Sequence, residues 1–141
     1  MTKRILIMGL PGAGKTTFAE QLRDTLDMHG FKGVWINADR LRAEFNDWDF
    51  SIEGRIRQAS RMREQADKLD CDYAICDFVA PYPKMRAIFD ADITVWMDTI
   101  KVSRYEDTNR AFIEPELCDH RVTRWDHNQT VLSSILKQFK S

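Results

Sequence analysis

Cysteine is scarce in this chain of 141 residues: only Cys71, Cys76 and Cys118 occur, an odd number with no C-x-x-C spacing. That pattern excludes a disulfide framework and a structural zinc site, and a reducing, cytoplasmic setting is expected. Long apolar runs are also absent, since nothing approaches the roughly 18 residues of a membrane span. Met1-Thr2-Lys3-Arg4 leads straight into a strand-like segment, not into the apolar stretch of a signal peptide. Neither sign of charge dominates. With 21 Lys and Arg against 22 Asp and Glu, the net charge of −1 argues against a protein built to coat nucleic acid. No repeat, low-complexity tract or dividing linker is found. What is present, 43% hydrophobic and 11% aromatic residues, suffices for one packed core, so residues 1–141 are read as a single domain.

Apolar runs and helical patterns alternate along the chain. Residues 4–8 (Arg-Ile-Leu-Ile-Met) form a short apolar run stopped by Gly9, as expected of a strand buried on both faces. Phe18, Leu22 and Leu26 then recur at helical spacing until Gly30. Strands are expected over 34–36, 73–76 and 93–97, and helices over 38–45, 52–69 and 82–89. Pro83 suits the first turn of the last of these. Residues 98–117 read as polar loop with at most one helical turn, 121–125 as a fifth strand and 130–139 as a closing helix. Strands alternating with helices imply right-handed crossovers on a parallel sheet, hence a three-layer α/β fold with about five central strands.

The segment Gly9-Leu10-Pro11-Gly12-Ala13-Gly14-Lys15-Thr16 satisfies G-x-x-x-x-G-K-[ST] at every fixed position, directly after a strand and directly before a helix. Successive backbone N–H groups in such a loop ring phosphate oxygens, and the helix N-terminus adds partial positive charge. The glycines admit backbone angles that a side chain would forbid. Lys15 is expected to reach the β- and γ-phosphates of ATP, Thr16 to hold Mg²⁺, and the nucleotide to sit on residues 12–17, Thr17 included. This makes the chain a P-loop nucleotide-binding protein in expectation.

No N-K-x-D guanine-reading motif is present, and a chain this short leaves room for little beyond a core and one substrate cleft. Phosphoryl transfer to a small acceptor is therefore the economical reading. Asp39, after the second strand, suits orientation of an acceptor hydroxyl or of the metal's water; capping the following helix is the alternative role. Asp77 ends an apolar strand, as a Walker B aspartate does, and competes with Asp39 for the metal. Arg55, Arg57, Arg61 and Arg63 crowd one helix, where only one or two can face a cleft; Arg55, Gln58 and Met62 share a face.

These residues resemble the adenylylsulfate kinase family, which transfers the ATP γ-phosphoryl to the 3′-hydroxyl of adenosine 5′-phosphosulfate. The family's D-G-D-N-[LIV]-R segment is similar to Asn37-Ala38-Asp39-Arg40-Leu41-Arg42. Its F-S-x-x-D-R-x-x-N-x-x-R pattern is matched by Phe50, Ser51, Arg55 and Arg61, with Gly54 for the aspartate and Gln58 for the asparagine. Its F-[IV]-S-P-Y stretch corresponds to Phe78-Val79-Ala80-Pro81-Tyr82, and its V-D-T ending resembles Met97-Asp98-Thr99. The agreement runs from about Lys3 to Thr99. Beyond it, the family's K-x-F-T-G lid stretch is missing, and only residues 100–111 precede Phe112-Ile113-Glu114-Pro115. Arg104 and Arg110 are candidates to replace the lid's positive charge.

The resemblance implies that Lys15 and Asp39 are catalytic and that Arg42 and Arg55 grip a small anionic acceptor. It further implies that Gln58 and residues 78–81 line the acceptor site and that Phe50 and Phe112 sandwich the acceptor's base, ordinary core packing being the other reading of both rings. Two alternatives stand beside it. One is a P-loop kinase acting on a nucleoside, a nucleotide or a polynucleotide 5′-end; the other is a degenerate nucleotide-binding module that regulates a partner. Apolar residues near Trp125 hint at a partner, a homodimer being one option.

Overall fold

The computed structural model describes residues 2–140. Strand β1 (Lys3–Met8) lies at the middle of a five-stranded parallel sheet. Helix α1 (Lys15–Met28) crosses to β2 (Gly33–Asn37), and α2 (Ala38–Phe45) and α3 (Ile52–Asp67) lead to β3 (Tyr73–Asp77). Helix α4 (Pro83–Phe89) connects to β4 (Ile93–Met97), and the lid segment with α5 (Glu106–Ala111) connects to β5 (His120–Val122). A 3-10 turn (Trp125–His127) and α6 (Asn128–Lys140) complete the chain. The strand order is β2-β3-β1-β4-β5, with Ile5 opposite both Ile75 and Ile93.

Side chains alternate across a strand, and β1 uses this to bury both faces. Ile5 and Ile7 join Phe18, Leu22 and Leu26 of α1 and Leu132 and Ile135 of α6 in one core. Leu6 and Met8 join Leu41 of α2, Met62 of α3, and Met85 and Phe89 of α4 in the other. The sheet is thus sandwiched between two helical layers. That arrangement brings the carboxyl ends of β1, β2 and β3 to one edge, where open α/β sheets bind ligands.

The fifth strand stops at Val122, short of the expected Trp125. Its ladder partner β4 ends at Met97, opposite Val122, so residues beyond it have nothing to pair with. The chain turns instead toward the loop after β1. Between 98 and 117 the polar segment contains one six-residue helix, slightly more than the single turn its sequence suggests.

Candidate active site

The loop between β1 and α1 wraps the mouth of a cleft of about 1380 Å³ lined by Pro11, Gly12, Gly14, Lys15, Thr16 and Thr17. Gly12 and Gly14 sit at φ of 87° and 96°, where a side chain is disfavoured. Gly14 is the N-cap of α1 and supplies no side-chain bond, so the helix presents uncapped first-turn amides to the cleft. Gly9 and Ala13 do not line it. A Cβ on Gly9 would lie 2.5 Å from the Met97 carbonyl oxygen, and Ala13 is buried in the α1-side core. Both shape the loop from behind.

Lys15 Nζ donates to the Leu10 carbonyl at 2.9 Å, folded back against its own loop. Burial pushes its pKa down to about 8, with Asp77 and Asp39 pulling it back up. Phosphate oxygens placed beside this amine raise its pKa again and hold it in the charged form. Thr16 Oγ1 donates to Asp77 Oδ2 at 3.2 Å, and Asn37 Nδ2 donates to Asp77 Oδ1 at 3.2 Å. Asp77 is only 2% exposed, and burial pushes its carboxyl up to about 6 against the pull of Lys15 and Thr16.

Asp39 lies exposed in the first turn of α2 and lines the same cleft. It is not the helix cap. Asn37 takes that role, accepting from the Arg40 amide at 3.0 Å, which leaves the Asp39 carboxylate free for the cleft. Thr16, Asp77 and Asp39 offer only hard oxygen ligands, the kind Mg²⁺ takes. No cluster of three or more potential metal-ligating His, Cys, Asp or Glu side chains occurs among the described residues. The oxygen chemistry of Thr16, Asp77 and Asp39 fits Mg²⁺ bound together with a nucleotide.

Across the cleft, Arg42 and Arg55 are 5% and 7% exposed, and neither forms an ion pair among the described residues. Arg42 Nη1 donates to the carbonyls of Asp47 and Asp49 at 3.1 and 3.2 Å. Arg55 donates to the Phe50 carbonyl at 2.9 Å and to Thr108 Oγ1 of α5 at 3.0 Å. Burial lowers the pKa of both guanidiniums. The half-exposed Phe50 ring lies 4.3 Å from the Arg42 guanidinium carbon and 5.5 Å from that of Arg55. Gln58 Nε2 donates to the Ala38 carbonyl at 2.9 Å, while its buried Oε1 has no protein partner. Phe78, Val79, Ala80 and Pro81 complete this wall.

The remaining arginines of α3 point elsewhere. Arg57 and Arg61 pair with Asp47, and Arg63 pairs with Asp67. Phe112, expected to sandwich a base, is not in the cleft. It packs against the α3–α4 core, with the Arg86 guanidinium carbon 5.6 Å from its ring. The neighbouring Ile113 amide is bound to the Pro81 carbonyl at 2.8 Å, which draws this segment to the outside of the wall. From the lid, Arg104 lines the cleft and Arg110 does not. Trp48, Gln21, Asn128 and Trp125 also line it. None of these four belongs to a motif; the only available signal was a tryptophan in the polar stretch Arg-Trp-Asp-His-Asn.

Comparison with known proteins bears on this arrangement. The probable adenylyl-sulfate kinase of Aeropyrum pernix is 34% identical over 85 residues, 58% of this chain and 46% of that protein. The chain therefore spans about half the length of the curated relative. The Mycobacterium tuberculosis APS kinase CysC, solved with AMPPNP and APS, superposes with a TM-score of 0.79 at 20% identity, covering 99% of this chain and 98% of that one. A gluconokinase from Sinorhizobium meliloti 1021 shares the fold more loosely, with a TM-score of 0.63 at 11% identity over 98% and 95% of the two chains. The family model of adenylylsulphate kinase matches residues 1–114, from the first strand through the lid, and this protein belongs to that family.

Proposed function

We propose that this chain is an ATP-dependent phosphotransferase that moves the γ-phosphoryl group to the 3′-hydroxyl of adenosine 5′-phosphosulfate. One observation carries the acceptor class. Two buried guanidiniums with no ion pair among the described residues line the same cleft as the phosphate loop, at 4.3 and 5.5 Å from one aromatic ring. Burying such charge unpaired is costly, and a phosphate or sulfate oxygen is the ligand that relieves the cost.

The residues divide the work by position. The open amides of α1 and the Lys15 ammonium cradle the phosphates and stabilise the negative charge of the transferring group. Thr16 and Asp77, with Asp39, would hold Mg²⁺, which when bound neutralises charge on the β- and γ-oxygens. Asp39 accepts the hydrogen bond of the attacking hydroxyl and aims it at the γ-phosphorus. Arg42 and Arg55 fix the anionic end of the acceptor, Phe50 offers its face to a base, and Gln58 Oε1 accepts from an N–H or O–H donor.

The shortened lid favours one rival, a kinase of the same fold with a different acceptor. The test is transfer of labelled phosphate from ATP·Mg²⁺ to adenosine 5′-phosphosulfate, AMP, adenosine and an oligonucleotide 5′-hydroxyl. Labelled 3′-phosphoadenosine 5′-phosphosulfate is the expected product. Labelling of adenosine or the oligonucleotide alone overturns the acceptor. ATP binding with no transfer to any of them overturns the enzyme in favour of a regulatory nucleotide-binding module.

A further inference from the structure

The phosphate loop is braced from outside its own motif. The Ala13 carbonyl accepts two hydrogen bonds, from Thr99 Oγ1 at 2.7 Å and from Trp125 Nε1 at 2.8 Å. Thr99 follows β4 and Trp125 sits in the turn after β5, so two connections from the far half of the sheet converge on one peptide group. A carbonyl oxygen has two lone pairs, and here both are engaged.

Gly14 explains why such bracing is needed. A Cβ at this position would lie 2.6 Å from Trp125 Nε1, so only glycine leaves room for the indole edge. Yet glycine accepts either sign of φ, and it therefore does not specify which way the Ala13–Gly14 peptide faces. In a trans peptide the C=O and the following N–H point in opposite directions. Two donors holding the Ala13 carbonyl fix the Gly14 N–H on the opposite side of that peptide, and Gly14 itself lines the cleft. We propose that Thr99 and Trp125 are positioning residues of the phosphate loop, locking the Ala13–Gly14 peptide in the orientation that binds nucleotide phosphate. This rests on the nucleotide reading of the loop, but not on the identity of the acceptor.

The test is calorimetric titration of the full chain with ADP·Mg²⁺, alongside ATP and acceptor kinetics. Thr99→Val keeps shape and removes one donor; Trp125→Phe keeps an aromatic ring against Gly14 and removes the other. Each is expected to weaken ADP binding and raise the ATP KM about three- to tenfold, the scale of one net hydrogen bond, with the acceptor KM unchanged. Thr99→Ser, which restores the hydroxyl, is expected to bind within about twofold of the parent. If the Val and Phe variants lose thermal stability but bind ADP as the parent does, the two residues are only structural and the proposal falls. If the parent binds no ADP, the nucleotide reading itself fails, a result separable from the behaviour of the variants.

Discussion

The two walls of the cleft are built on different principles. The wall proposed for phosphate comes from one continuous stretch, residues 9–17, of which Pro11, Gly12 and residues 14–17 line the cleft. The acceptor wall is assembled from α2, the connection to α3, α3 itself, the segment after β3 and the lid. Every fixed position of the phosphate motif is retained, whereas the acceptor-side segments carry Gly54, Gln58 and Ala80 in place of residues of the family pattern, and Asn37 stands between the two. The structure shows what some of those departures accommodate. A Cβ on Gly54 would lie 2.1 Å from the Asp49 carbonyl oxygen, so an aspartate there is incompatible with how this loop closes over α3. Asn37 sits beside the buried Asp77, where a second carboxylate would repel a group whose charge is already disfavoured by burial.

The largest expected effect lies where the walls meet. Asp39→Asn should leave ADP affinity within a few-fold and lower turnover by roughly 10²–10⁴, the range of a positioned acid–base group. Stopped-time assays at saturating ATP measure it, and unchanged turnover would move the chemistry onto Asp77. Next comes Lys15→Ala, which should lower kcat/KM for ATP by on the order of 10²–10³, as loss of one charge-stabilising donor does. Its melting temperature should hold, because a lysine whose charge is disfavoured by burial contributes little to folding.

On the opposite wall, Arg55→Ala should raise the acceptor KM about 10- to 100-fold, the value of one or two charge-assisted bonds, with ADP titrations unaltered. Equal losses for nucleotide and acceptor would erase the distinction between the walls. The smallest effect is in pH. Free Lys15 loses its proton near pH 8, and phosphate binding requires the charged form. ADP affinity should therefore be nearly flat up to about pH 7, fall to about half near pH 8 and to roughly a tenth by pH 9. A flat profile across this range would mean that Lys15 keeps its charge without a nucleotide.

How much of this was legible in the sequence follows the same division. The phosphate loop and the alternating strands and helices could be read from local pattern and order, and Asp39 from its place after the second strand, whereas Arg42 and Arg55 were singled out by the family resemblance, pattern alone making the α3 arginines solvated surface. The sequence left Phe112 between a base contact and core packing; the structure puts it in the core, its place set by Arg86 and by the Pro81–Ile113 bond, contacts between segments about thirty residues apart. The cap of α2 went to Asn37 and not Asp39, since capping depends on where the strand ends to within one residue. Trp125 was read as the end of a strand, because no local signal shows that β4 offers no partner beyond Met97.

The contact between Trp125 and Ala13 joins positions 112 residues apart, and β1 itself pairs only with β3 and β4. During synthesis, the phosphate motif emerges well before the contacts that finish it are made. Residues 9–17 exist as a sequence from the outset, but their flanking strand has no neighbours until β3 and β4 are made, and the brace closes only after β5. Contacts this distant in sequence form late and slowly. A nascent chain halted before residue 125 carries the whole phosphate motif without the brace behind it, so capture on immobilised nucleotide reports on completion of the fold as well as on the presence of the motif.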